Sequence, residues 1–162
     1  MADRVGLNHA TLHYYFPKKE DLVRGVVDYL IQQFISEQSS QSLSEGSPVD
    51  LLRAEFVKIM RLHKRPEMII VLNELSLRAL RDPIIAKLLA IMDRGWWSYL
   101  SDILRKGVQK GDYKGDIDIG LGASIVMTVL KGIRGEIMGK TQKEVRQICS
   151  SLLSQLERWL AI

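Results

Sequence analysis

Cysteine is almost missing from this chain of 162 residues, and its scarcity removes whole classes of protein. The lone Cys149 excludes an internal disulfide and fits a reducing compartment. Histidine is nearly as scarce. His9, His13 and His63 are the three, and no Ser/His/acid or Cys/His set can be assembled from them, so no enzyme is expected. His9 and His13 stand four apart, the spacing of two helical zinc ligands. The H-E-x-x-H pattern, however, needs Glu where Ala10 sits, and no Cys lies nearby to complete a site. Neither a metal nor a cofactor is expected. Long apolar runs are absent as well. The best candidate, residues 117–130, is shorter than the ~20 residues a membrane span needs and then meets Lys131, Arg134 and Glu136. It reads as a buried helix. No basic stretch followed by an apolar run opens the chain, so neither a signal peptide nor a membrane partner is expected, and the expected location is cytoplasmic. Residues 135–141 resemble a phosphate loop, but only three residues separate Gly135 from Gly139 and a helix precedes them. A helix end followed by a cap is the plainer reading.

What remains is helix, nearly everywhere. Hydrophobic residues make up 46% and charged residues 26%, an ordinary balance for one substantial core, and a net charge of +4 permits nucleic acid without requiring it. Leu22, Val26, Tyr29, Leu30 and Ile35 recur at helical spacing over residues 19–39, before a serine-rich linker. Ser47 and Pro48 then supply a cap and a first-turn proline for a helix to about residue 64. Residues 68–72 are apolar all round, which predicts deep burial; their β-branched content suits a strand, but Leu75, Leu77 and Leu80 continue a helix. Asp82 and Pro83 open the longest helix, which Gly111 ends. In residues 117–138, Gly120, Ser124, Thr128 and Gly132 form a ridge of small side chains that lets another helix approach closely. Thr141 and Glu144 form a capping box for the final helix.

Residues 2–22 carry the sharpest signal. Gly6 supplies a turn, Asn8 caps a new helix, and that helix stops before Pro17. Leu12 and Phe16, four apart, can plug a core, which leaves His9, Thr11, His13, Tyr14 and Tyr15 facing outward. This is the layout of a helix-turn-helix whose second helix enters a DNA groove.

The segment resembles the TetR/AcrR family of transcriptional regulators, whose signature runs A-x-x-A-G-V-S-x-G-T-L-Y-x-Y-F-x-S-K-E-x-L. Ala2, Gly6, Thr11, Leu12, Tyr15, Phe16, Lys19, Glu20 and Leu22 match it, while His13 stands where Tyr is usual and Lys18 where Ser is. The resemblance implies an all-α fold: a partial helix-turn-helix DNA-binding domain over residues 1–24, then an antiparallel helical ligand-binding and dimerisation domain over residues 25–162. It implies that Asn8, His9, Ala10, His13 and Tyr14 approach base edges and that Thr11, Tyr15 and Lys19 hold phosphates. It implies a pocket in the middle helices for a small hydrophobic effector, with Phe56, Met60, His63, Met68, Leu72, Leu75, Met92, Trp96 and Tyr99 as candidate lining. Trp97, about a hundred degrees from Trp96 on a helix, cannot share its face. It implies a homodimer through Leu121, Ile125, Val129, Gly132, Ile148, Leu152, Leu156 and Trp159. The expected function is a ligand-responsive transcriptional regulator, a repressor that binds double-stranded operator DNA and is released by its effector. Family members place a further helix before the part matched here. The chain is therefore expected to be N-terminally truncated relative to them, by a real truncation or by a choice of start site, and weak or no operator binding is expected of it as written. The alternative is a dimeric small-molecule-binding helical module without working DNA binding.

Overall fold

The computed structural model describes residues 9–40 and 46–161, and seven helices with no strand make up the described residues. In order they are α1 (His9–Tyr15), α2 (Lys19–Ser40), α3 (Pro48–Leu62), α4 (Pro66–Ala79), α5 (Pro83–Lys110), α6 (Ile119–Glu136) and α7 (Gln142–Leu160). The expected all-α class is what the chain adopts. The turn around Gly6, the Asn8 cap and the middle of the serine-rich linker lie outside the described residues.

Local chemistry sets the helix starts. Ser47 Oγ accepts from the Asp50 amide at 3.1 Å, with Pro48 in the first turn of α3. Asp82 Oδ1 accepts from the amides of Ile84 and Ile85 ahead of α5. Asp118 caps α6 through the Leu121 amide at 3.0 Å. At α7 the capping box closes both ways: Glu144 N–H donates to Thr141 Oγ1, and Thr141 N–H donates to Glu144 Oε2 at 2.7 Å. Each bond satisfies an amide that would otherwise lack an intrahelical partner. Gly111 ends α5 at φ 77°, a left-handed conformation that only glycine adopts without strain.

The main core lies where α3, α5, α6 and α7 meet. Leu52, Phe56, Leu100, Ile103, Val126, Leu130 and Leu160 are all fully buried there. The ring of Tyr113 fills the space that a side chain at Gly107 would need, closing the end of α5 on the loop that follows. The Lys114 amide then donates to the Leu160 carbonyl at 2.9 Å, tying that loop to the end of α7. A second, smaller cluster joins Val27 of α2 to Leu75 of α4 and Ile85 of α5. It seats the N-terminal arm on the body, and α2 runs without interruption through the expected boundary between residues 24 and 25.

One expectation fails here. The all-apolar segment 68–72 is helical, as predicted, but it is not deeply buried throughout. Ile69 is buried at 1% exposure, whereas Ile70 is 57% exposed and Met68, Val71 and Leu72 are half-buried. Helix α4 packs chiefly on α5, so among the described residues little buries its far side.

Candidate functional site

Helices α3, α4, α5 and α6 enclose a cavity of about 300 Å³, at the lower end of the range typical of small-molecule sites. Its apolar wall comes from Ile59 and Leu62 of α3, Leu72 of α4, Leu89, Met92 and Trp96 of α5, and Leu130 of α6. Five ionisable side chains share it: Glu55, Lys58, Asp93, Lys131 and Arg134.

Four of these five are paired. Glu55, almost wholly buried, accepts from Lys58 Nζ at 2.6 Å on one oxygen and from Trp96 Nε1 at 2.9 Å on the other. The same Lys58 ammonium sits 5.7 Å from the centroid of the Tyr99 ring. Burial, and then the nearby Glu55 charge, push the Tyr99 phenol up to about 12. Lys131 Nζ donates to Asp93 Oδ2 at 2.6 Å, bridging α6 and α5. Arg134 differs. Among the described residues its buried Nε has no acceptor, and no carboxylate forms an ion pair with the guanidinium. Burial lowers its affinity for its proton, partly offset by the charge of Asp93; the group stays cationic, since the guanidinium does not deprotonate in proteins.

Of the pocket residues expected from sequence, Leu72, Met92 and Trp96 come together on this cavity. Phe56, Leu75 and Tyr99 are buried in the packed clusters instead. Met60 lines a separate hollow between α3 and α7, and Met68 is half-buried at the start of α4. His63 Nε2 bonds the Lys140 carbonyl at 2.7 Å and so braces the end of α3 against the α6–α7 turn. The two adjacent tryptophans diverge as expected: Trp96 faces the cavity, while Trp97 is 40% exposed and donates from Nε1 to Ser124 Oγ at 3.1 Å. Trp97 also lies over Gly120, so α5 itself occupies the first half of the small-residue ridge. No sequence rule singled out Glu55, Lys58, Asp93, Lys131 or Arg134 as site residues, and only the packing of four helices brings them together.

The DNA-binding candidates occupy α1 and the start of α2. Thr11, His13, Tyr14 and Tyr15 are exposed, and the two tyrosine rings meet edge to face with centroids 5.3 Å apart. The backbones of His9, Ala10 and Lys19 belong to these helices, but their side chains, like all of Asn8 and the side chain of Leu12, lie outside the described residues. Phe16 turns inward, as expected, and its ring lies so near Gly25 of α2 that a Cβ there would come within 2.8 Å of it. Glycine at 25 lets the short helix lie close on its carrier. The Asp21 carboxylate accepts from the Lys18 amide at 3.2 Å and fixes the turn between them.

On α6 and α7, Leu121 and Trp159 are exposed at 58% and 39%, Gly132 is open, and Ile125, Val129, Ile148 and Leu152 are half-buried. Leu156 is taken into the core of its own chain. Among the described residues no three His, Cys, Asp or Glu side chains cluster as metal ligands, and no helix is long and apolar enough to cross a membrane.

No family model matches the chain. It is 22% identical over 157 residues to the fatty acid metabolism regulator protein of Bacillus subtilis, spanning 96% of this chain and 80% of that one. Its structure superposes on a TetR transcription regulator from Haloarcula marismortui with a TM-score of 0.81 at 20% identity, over 99% of this chain and 85% of the other. A protein from Saccharomonospora viridis, described as a transcriptional regulator and solved in complex with choline, gives 0.80 at 20% identity over 99% and 84%. The chain has the fold of the TetR-family transcription regulators.

Proposed function

With that fold as the frame, we propose that the chain is a ligand-responsive transcriptional regulator, a repressor that works as a homodimer on operator DNA and is released by a small, largely apolar effector. The observation that carries this reading is the position of the cavity relative to the arm. Leu89 lines the cavity and also packs against the small cluster that seats α2. A molecule filling the cavity acts on Leu89, and through Val27 and Ile85 on the helix that bears α1. An effector that prefers one seating of α2 thereby changes the affinity of α1 for DNA, by the amount of its differential binding to the two seatings.

At the other end, two tyrosines, a histidine and a threonine stand exposed on α1, a helix of about two turns. Such side chains suit phosphates and base edges. Dimerisation through α6 and α7 supplies the second copy, so that two readers meet half-sites one helical turn of DNA apart, ~34–36 Å, or a multiple of that.

The test is selection of DNA fragments by the protein, with and without compounds that raise its melting temperature. The reading requires recovery of a two-fold symmetric sequence, its loss in His13→Ala/Tyr14→Ala, and release by at least one stabilising compound. Compound binding with no enriched sequence favours the module reading, because α3–α6 build the cavity without any residue of α1.

A further inference from the structure

The charges on the cavity do not cancel. Glu55 and Asp93 contribute two negative groups, and Lys58, Lys131 and Arg134 contribute three positive ones. Two ion pairs, Lys58–Glu55 and Lys131–Asp93, use both carboxylates. Arg134 is left as the surplus cation, with a buried Nε that no described residue accepts from. A guanidinium without a counter-charge on a largely apolar cavity wall favours a bound anion. The planar fork of a guanidinium matches a carboxylate with two parallel hydrogen bonds. Around it the wall is apolar, from Leu62, Leu72, Leu89, Met92, Trp96 and Leu130.

Building on the effector reading above, we propose that the cavity selects a small apolar molecule ending in one carboxylate, with the carboxylate on Arg134 and the apolar body against α4 and α5. A cationic ligand finds its seats already taken. The Glu55 carboxylate receives Lys58 and Trp96 on its two oxygens, and the Tyr99 face already carries the Lys58 ammonium. In this respect the site is unlike one built for choline, the molecule bound by the Saccharomonospora viridis protein of the same fold.

Isothermal titration of the full chain with octanoate, 1-octanol and octylamine, all below micellar concentration, isolates the head group at constant chain length. Octanoate is expected to bind at least about tenfold more tightly than octanol, given the strength of charge-assisted hydrogen bonds, and octylamine not measurably. Arg134→Met is expected to bring octanoate down to the affinity of octanol, and Arg134→Lys to keep part of the preference. Met92→Trp, which fills the cavity, is expected to abolish binding of both. The wild-type comparison of the three head groups stands even where a variant folds poorly. Equal affinity for octanoate and octanol, both lost in Met92→Trp, overturns the carboxylate assignment while leaving the effector cavity in place. Tighter binding of octylamine, or octanoate affinity unchanged in Arg134→Met, overturns it too. Failure of all three probes to bind overturns the assignment, and with no stabilising compound found by other screening the effector reading falls with it.

Discussion

The body of α3–α7 and the arm of α1–α2 are held by different means. In the body, Phe56, Leu100, Ile103, Leu104, Val126 and Leu130 are buried from all sides and form one continuous core. The arm rests on the body through Val27, Leu75 and Ile85, with Val23 and Leu89 beside them, while Tyr14, Tyr15 and Tyr29 stand in the open. The proposed regulator, which would hold a ligand and report on it, needs both kinds of support. Among the described residues the cluster that seats the arm is far smaller than the core of the body, so the arm is the part expected to shift first.

The largest expected effect lies in the body. Phe56→Ala leaves a void in the main core and is expected to cost ~3–5 kcal/mol, read as a lower midpoint in urea denaturation. Val27→Ala in the arm removes two carbons from a fully buried site, and ~0.8 kcal/mol per carbon gives about 2 kcal/mol with the void included. Its signature is faster amide exchange confined to α2. If exchange quickens equally throughout the body, arm and body are one cooperative unit and the contrast is wrong.

Much of this organisation is legible in the sequence, for physical reasons. Caps are local, so Ser47, Asp82 and Thr141 announce helix starts from residue type and spacing alone. The cavity is harder to read. The lining implied by the family resemblance includes Leu72, Met92 and Trp96, which reach the cavity, and also Phe56 and Tyr99, which the core absorbs. It misses the charged residues entirely. In the sequence, Lys131 and Arg134 mark where an apolar run stops. In the fold, the crossing of α6 over α5 turns them toward Asp93 and the cavity, and nothing in the chain itself encodes that crossing locally. The depth of residues 68–72 is hidden from the sequence for a related reason, since hydrophobicity does not say how many neighbours a helix will have.

Smaller effects sharpen the contrast. Thr141→Ala removes the cap of α7 and is expected to cost ~1 kcal/mol of global stability, visible in the melting temperature. Asp21→Ala removes the carboxylate that bonds the Lys18 amide and is expected to act by a similar amount on the arm alone, seen in exchange at the start of α2. Tyr113 carries a buried hydroxyl with no hydrogen-bond partner among the described residues, so Tyr113→Phe is expected to leave stability unchanged or raise it by up to ~1 kcal/mol. The least effect is a pH dependence in the body. Hydrogen bonds from the Thr141 hydroxyl and amide hold the Glu144 carboxyl below its usual 4.5. Its contribution is therefore complete above that value and fades as pH falls through the lower, folded-state pKa. Glu144→Gln is expected to flatten acid denaturation slightly in that range, and an unchanged acid limb would remove this carboxylate from the account.

The coupling of cavity to arm is tested most directly by amide exchange along α2, measured with the cavity empty and with a bound ligand that stabilises the protein. The account predicts that filling the cavity changes protection around Val23 and Val27, on a helix the ligand does not touch. Changes restricted to α3–α6, with α2 exchanging as before, would contradict it.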